Sequence, residues 1–246
     1  MTVLAGARWP EVEPGTLLVL PVGSCEQHGP HLPAATDATV AGAVAGELVA
    51  RLADAGVPAV LAPTLPVGAS GEHAGFPGTL SLGSEVLGAV LVELGRSCRD
   101  WAGRLLVVNG HGGNAAGVVA AVTRLRYEGD DAAWLPCAVP DADAHAGRTE
   151  TSLMLALAPD AVALERAAAG NVRPIADLLP ELRAHGVRGV SPNGVLGDPA
   201  GASGDEGRRL LDQLGARVLA ATLTWDVAAD GRLTQPASTR NAGRSA

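Results

Sequence analysis

Short unbroken apolar runs alternate along this chain with longer stretches of helical periodicity. Residues 17–20, Leu-Leu-Val-Leu, are uniformly apolar, which predicts a strand covered on both faces as in a parallel sheet. Residues 38–55 carry an alanine- and valine-rich helical pattern that stops at Gly56-Val57-Pro58. Further buried strands are predicted at 59–62, 104–108 and 132–135. A helix from Ser84, a candidate cap, to about Trp101 lies between the strands at 59–62 and 104–108. Asn114 is placed to cap the next helix, to about Glu128, and another begins around Glu150. Ser203-Gly204-Asp205-Glu206 has the Ser-x-x-Glu spacing of a capping box and predicts a last helix toward Trp225.

This alternation predicts an α/β fold: a single three-layer α/β/α domain over residues 1–229 with a mainly parallel sheet. Residues 230–246 are polar and aperiodic, and a disordered tail is expected there. Residues 64–78 form a long stretch punctuated by glycine and proline. A loop of that length inside a compact domain is either functional or disordered.

Composition narrows the class. With 246 residues, 47% hydrophobic and 18% charged, the chain can bury one large core, and at 2% aromatic that core must be Ala, Val and Leu. All 18 basic residues are Arg, and the net charge of −8 argues against nucleic acid or an acidic membrane surface as partner. Residues 1–14 carry no secretory pattern, and no apolar run is long enough to span a membrane. Three cysteines without paired spacing fit a reducing compartment, so a cytoplasmic location is expected.

The chemistry gathers where strands end. In open α/β sheets ligands collect beyond the carboxyl ends of the strands. The first predicted strand empties into a loop holding Glu26, His28 and Asp37, and the third opens into Asn109-Gly110-His111-Gly112-Gly113-Asn114. Oxygen and nitrogen donors of this kind suit Zn²⁺, Mn²⁺ or Fe²⁺. A single histidine is more often an ordinary core or surface residue; joint placement after two strands favours a metal site. Cys25, beside Glu26, shows no local base and reads as a packed small residue. His31 suits a turn as well as a ligand or supporting donor, and His185 reads as surface. Glu72 and His73, on the long loop, and Arg148 are candidates for facing substrate.

Glu26-Gln27-His28-Gly29 with Asp37, Phe76-Pro77-Gly78-Thr79, Asn109 to Asn114, and His145-Ala146-Gly147 followed by Glu150-Thr151-Ser152 together resemble the creatininase family of metal-dependent amidohydrolases. Gly68-Ala69-Ser70-Gly71-Glu72-His73 and Gly194-Val195-Leu196-Gly197-Asp198-Pro199 are similar to one branch, whose members act on a ribosomally made, modified precursor peptide. The resemblance implies two divalent metal ions (Zn, Fe or Mn), one held by Glu26, Asp37 and His111, the other by His28, Asp37 and Glu150. Asp37 would bridge them, and His145 would be the catalytic histidine that passes a proton to the leaving nitrogen. It also implies a homo-oligomer and release of a small heterocyclic product for a redox cofactor. Gly113 stands where creatinine-hydrolysing members have Glu, and Ala144 stands where they have Glu before the catalytic histidine. Those departures argue against creatinine itself and leave room for a larger substrate. The alternatives are a cyclic-amide or formamide hydrolase, or a non-enzymatic metal-binding component of a biosynthetic complex.

Overall fold

A computed structural model describes residues 2–235. Its sheet is built from β1 (Thr2–Val3), β2 (Thr16–Val22), β3 (Ala59–Leu61), β4 (Ala102–Asn109) and β5 (Ala132–Pro136). They lie in the order β1-β3-β2-β4-β5, and every pairing is parallel. All seven residues of β2 are buried, as the unbroken apolar run predicted for a central strand.

Successive side chains of a strand point to opposite faces, and the core divides accordingly. Leu17 and Val19 of β2, Leu106 and Val108 of β4, and Ala133 and Leu135 of β5 pack with α1 (Thr36–Asp54), α4 (Arg148–Leu157) and α6 (Gly204–Thr224). Leu18, Leu20, Leu105, Val107 and Trp134 face α2 (Ser84–Cys98) and α3 (Ala115–Tyr127) on the other side. Each fully buried Leu or Val contributes about 1.5–3 kcal/mol of transfer free energy, so these two layers are what hold the helices on the sheet. Helix α1 leaves β2 toward one face, and α3 leaves β4 toward the other. The carboxyl ends of these adjacent strands, Val22 and Asn109, therefore flank a topological switch point, where a crevice opens.

Several local expectations are corrected. Neither Ser84 nor Asn114 caps a helix with its side chain: α2 starts at Ser84 itself after Gly83, and the Asn114 amide is drawn inward. It donates to Gly23 O (2.9 Å) and Asn109 Oδ1 (3.0 Å) while its Oδ1 accepts from Ala69 N–H (2.7 Å), tying three loops together. Ser203 does cap α6, accepting from Glu206 N–H (3.2 Å). The Glu206 carboxylate does not complete the box; it turns to Arg148 and Ser152.

Helix α5 (Ile175–Val190) escaped the sequence pattern because Pro180 lies inside it and Gly186, at φ 65°, breaks its geometry. It packs apart from the sheet, through Leu178 and Val187 against Leu196 and Phe76. Residues 230–235, expected to open a disordered tail, are instead built onto the domain. Leu233 is buried in the main core, and residues 231–233 pair with Trp134 through Trp134 N–H to Gly231 O (3.0 Å) and Leu233 N–H to Trp134 O (3.0 Å). The rest of that expectation, residues 236–246, lies outside the described residues.

Candidate metal centre

Four of the chain's six histidines and four carboxylates converge at the switch point. The loop between β2 and α1 supplies Glu26 and His28, and Asp37 sits in the first turn of α1, where the helix dipole favours an anion. His111 follows β4 directly, and Glu150 lies in the first turn of α4. Between β2 and α1, Gly23 packs so tightly on the helix that a Cβ there would stand 2.3 Å from Ala38 Cα, which only glycine permits.

Distances are those of a ligand cluster. Asp37 Oδ1 lies 3.2 Å from His28 Nε2, and Asp37 Oδ2 3.3 Å from His111 Nδ1. His111 Nε2 is 3.1 Å from Glu26 Oε2, and His28 Nε2 is 3.8 Å from Glu150 Oε2. Among the described residues, three groups have donor atoms all within 4.8 Å: Glu26, Asp37 and His111; His28, Asp37 and Glu150; and Glu26, His28 and His145. Ser24, which the sequence reading passed over, places its hydroxyl 2.7 Å from Glu26 Oε2 and 2.6 Å from Asp37 Oδ2. One hydroxyl has one proton, so it can offset only part of the repulsion between two buried carboxylates.

The protonation balance shows the same frustration. Burial, with Asp37 adding and the two histidines opposing, pushes Glu26 up to about 7. Burial would lower His28, but Asp37 above all, then Glu150 and Glu26, raise it to about 9. Burial would raise Asp37 too, yet His28 and His111 hold it well below the usual carboxylate range. Glu26 Oε1 and His111 Nε2 are buried and make no well-directed hydrogen bond, although His73 Nε2 and Glu26 Oε2 respectively lie 3.1 Å from them. Buried polar atoms are normally paired, and two unpaired ones on facing members of an O/N donor set fit a divalent cation.

His145 is reached through an antiparallel bridge. Its N–H donates to Leu196 O (3.1 Å) and its O accepts from Leu196 N–H (2.9 Å), while Ala146 beside it holds φ 53°. The 194–199 motif thus positions the histidine. His145 Nε2 lies 2.8 Å from Gln27 O, which can only accept, so that nitrogen carries the proton. The Gln27 amide then donates to Gly194 O (3.0 Å) and His73 Nδ1 (2.9 Å). His145 turns an unprotonated Nδ1 toward the cluster, 3.7 Å from Glu26 Oε1, and burial holds its pKa well below the usual imidazole range. Gln27 is a second residue the sequence reading missed; the alternation Glu26-Gln27-His28 is the one signal that marks it.

Glu72 and His73 join the cluster from the long loop. Glu72 Oε1 lies 3.2 Å from His111 Nε2, and His73 Nε2 3.1 Å from Glu26 Oε1. Arg148 does not join: it pairs with Glu206 (2.8 Å), and its side chain is 55% exposed. Cys25 directs its thiol at Gly78 O (3.6 Å), away from any base. His31 is buried against Thr151.

The family model for creatininase, described as creatinine amidohydrolase, matches residues 5–222. The chain belongs to the creatininase family. Its class of reaction is hydrolysis of C–N bonds. The mycofactocin precursor peptide peptidase of Mycolicibacterium smegmatis is 50% identical over 219 residues, 89% of each chain. The protein of that name from Mycobacterium tuberculosis is 49% identical over 222 residues, 88% of each. A creatinine amidohydrolase of Pseudomonas putida is 34% identical over 182 residues, 61% of this chain and 67% of that one. Among solved structures, a creatinine amidohydrolase superimposes with a TM-score of 0.74 at 27% identity, covering 92% of this chain and 99% of that one. A creatininase in its Mn form gives 0.71 at 28% identity, covering 89% and 96%. The expected three-layer parallel fold is that of these creatininase neighbours.

Proposed function

We propose that the chain is a metal-dependent peptidase of mycofactocin biosynthesis, cutting the modified C-terminal region of the precursor peptide to release a small heterocyclic product. The observation that carries the hydrolytic reading is Asp37's membership in two donor groups at once. Identity near 50% over about nine-tenths of the chain supports the substrate.

In this reading Glu26, Asp37 and His111 hold one divalent cation and His28, Asp37 and Glu150 a second. Zinc, iron or manganese suits these donors. Such cations, when bound, supply Lewis acidity toward a carbonyl and lower the pKa of water. Water oxygen bonds to the amide carbon, the C–N bond breaks, and one water proton ends on the leaving nitrogen. Neutral His145, with its bare Nδ1 facing the cluster, takes that proton and returns it to nitrogen. Gln27 fixes the tautomer that leaves Nδ1 free.

Purified protein reconstituted with divalent metal and given the modified peptide should yield two fragments whose masses sum to peptide plus one water. Intact peptide with metal-replete protein overturns the reading. His145→Ala should abolish turnover with metal content retained; loss of metal would make His145 a ligand. We further infer a cytoplasmic location, from sparse free thiols, and a homo-oligomer, as the family resemblance implies.

A further inference from the structure

The 64–78 loop is fastened to the centre from several sides. Ala69 N–H donates to Asn114 Oδ1 (2.7 Å) and Ser70 N–H to Ser81 Oγ (2.9 Å). Gly68 lies where a Cβ would stand 2.5 Å from Gly23 O. From behind, α5 presents Gly186, whose Cβ position is 2.8 Å from Glu72 O, and Arg188 donates to Gly75 O (2.6 Å). The short turn Gly71–His73 is therefore held on the mouth of the cluster.

Position 113 decides how close the loop comes. A Cβ on Gly113 would stand 2.3 Å from Glu72 Oε1, 2.4 Å from His111 Nε2 and 2.6 Å from Ala69 O, all inside contact distance. The Glu72 carboxylate occupies the volume that the first atoms of any side chain at 113 would take. It differs from the other carboxylates in two ways. Glu26 and Asp37 are buried, whereas the Glu72 side chain is 33% exposed. Among the described residues, the close donor groups include Glu26, Asp37 and Glu150, and Glu72 is in none of them. It stands beside the candidate ligands, open to whatever enters.

An ionised carboxylate offers acceptors only, so it cannot face the carbonyl oxygen of a scissile amide, where negative charge develops. The nitrogen end, which bears N–H and gains a second proton on leaving, is its complement. We propose that Glu72 contacts the substrate directly, accepting a hydrogen bond from the nitrogen of the scissile amide and holding it as it departs as an amine. This rests on the peptidase reading above.

Glu72→Gln keeps the shape and replaces an acceptor by a donor. Metal-loaded protein carrying it should retain metal content and circular dichroism while kcat for the modified peptide falls about 10- to 100-fold, the worth of one hydrogen bond to a charged group. KM should change less, since the contact strengthens as the amine forms. The amine product purified from wild-type turnover should bind Glu72→Gln about tenfold more weakly by calorimetry. Wild-type turnover with Glu72→Gln within twofold of it overturns this role alone. Loss of metal in the variant also overturns it, making Glu72 a ligand. A metal-replete wild type inert toward the peptide sinks the peptidase reading and this role together.

Discussion

His31 Nε2 stands 2.9 Å from the hydroxyl of Thr151, 120 residues further along the chain. The contact joins the loop that carries Glu26 and His28 to the helix that carries Glu150, next to Thr151. Both partners are buried, so breaking the bond leaves a polar atom without water. Thr151→Val should therefore cost about 1–3 kcal/mol in denaturant unfolding. It should also weaken metal retention, because Glu150 loses a tether. His31→Phe should do the same. Unchanged stability and metal content in both variants would show the contact to be incidental.

Asp37 faces both His28 and His111, and removing it strips a donor from each of two groups. Asp37→Ala should lose both metals together, read as equivalents per chain by elemental analysis. Glu150→Ala removes a donor from one group and should spare the other site. A full complement in the Asp37 variant contradicts a shared ligand.

Most of the centre can be read from sequence, and the reason is geometric. Glu26, His28, Asp37 and His111 follow strands whose apolar runs are unmistakable, and parallel strands deliver their carboxyl ends to one edge. Ser24 and Gln27 escaped because single polar residues beside the clustered side chains carry no periodic signal. Glu72 is the instructive case. The sequence marks Gly113 as a departure, but only the folded loop reveals that a carboxylate from 41 positions earlier fills the space beside it. Helix α5 and the strand-like end at Leu233 were hidden for the opposite reason, since Pro180 and Gly186 interrupt the apolar residues of the one and Gly231 stands just before the few of the other.

Glu128, at the end of α3, gathers Arg96, Arg124 and Arg99, with Arg96 Nε 2.9 Å and Arg99 Nη2 3.1 Å from its Oε2. Hydrogen bonds from Arg96, Arg124 and Arg99 hold its carboxyl below the usual range. A folded pKa below the unfolded value of about 4.3 means the unfolded chain binds the proton more tightly. The stabilisation is complete above that value and is lost as pH falls toward the folded one. Glu128→Gln should lower the urea midpoint at pH 7 and narrow the gap to wild type as pH drops below about 4. A gap that stays constant with pH would exclude this linkage.

Leu233 sits 1% exposed in the core that backs α6 and the sheet, at the end of a stretch whose sequence looks like a tail. Its backbone continues the pairing with Trp134, and Arg232 lies over the Trp134 ring at 5.8 Å. Truncating a buried leucine removes its transfer energy and leaves a cavity, so Leu233→Ala should cost about 2–5 kcal/mol. Arg232→Ala, which gives up one exposed cation–π contact, should cost about 0.5–1 kcal/mol. Equal and small effects from both, in denaturant melts at one pH, would mean that residues 230–235 only rest on the domain. A twofold or larger disparity would make them part of its core, and the domain boundary would then lie beyond Leu233.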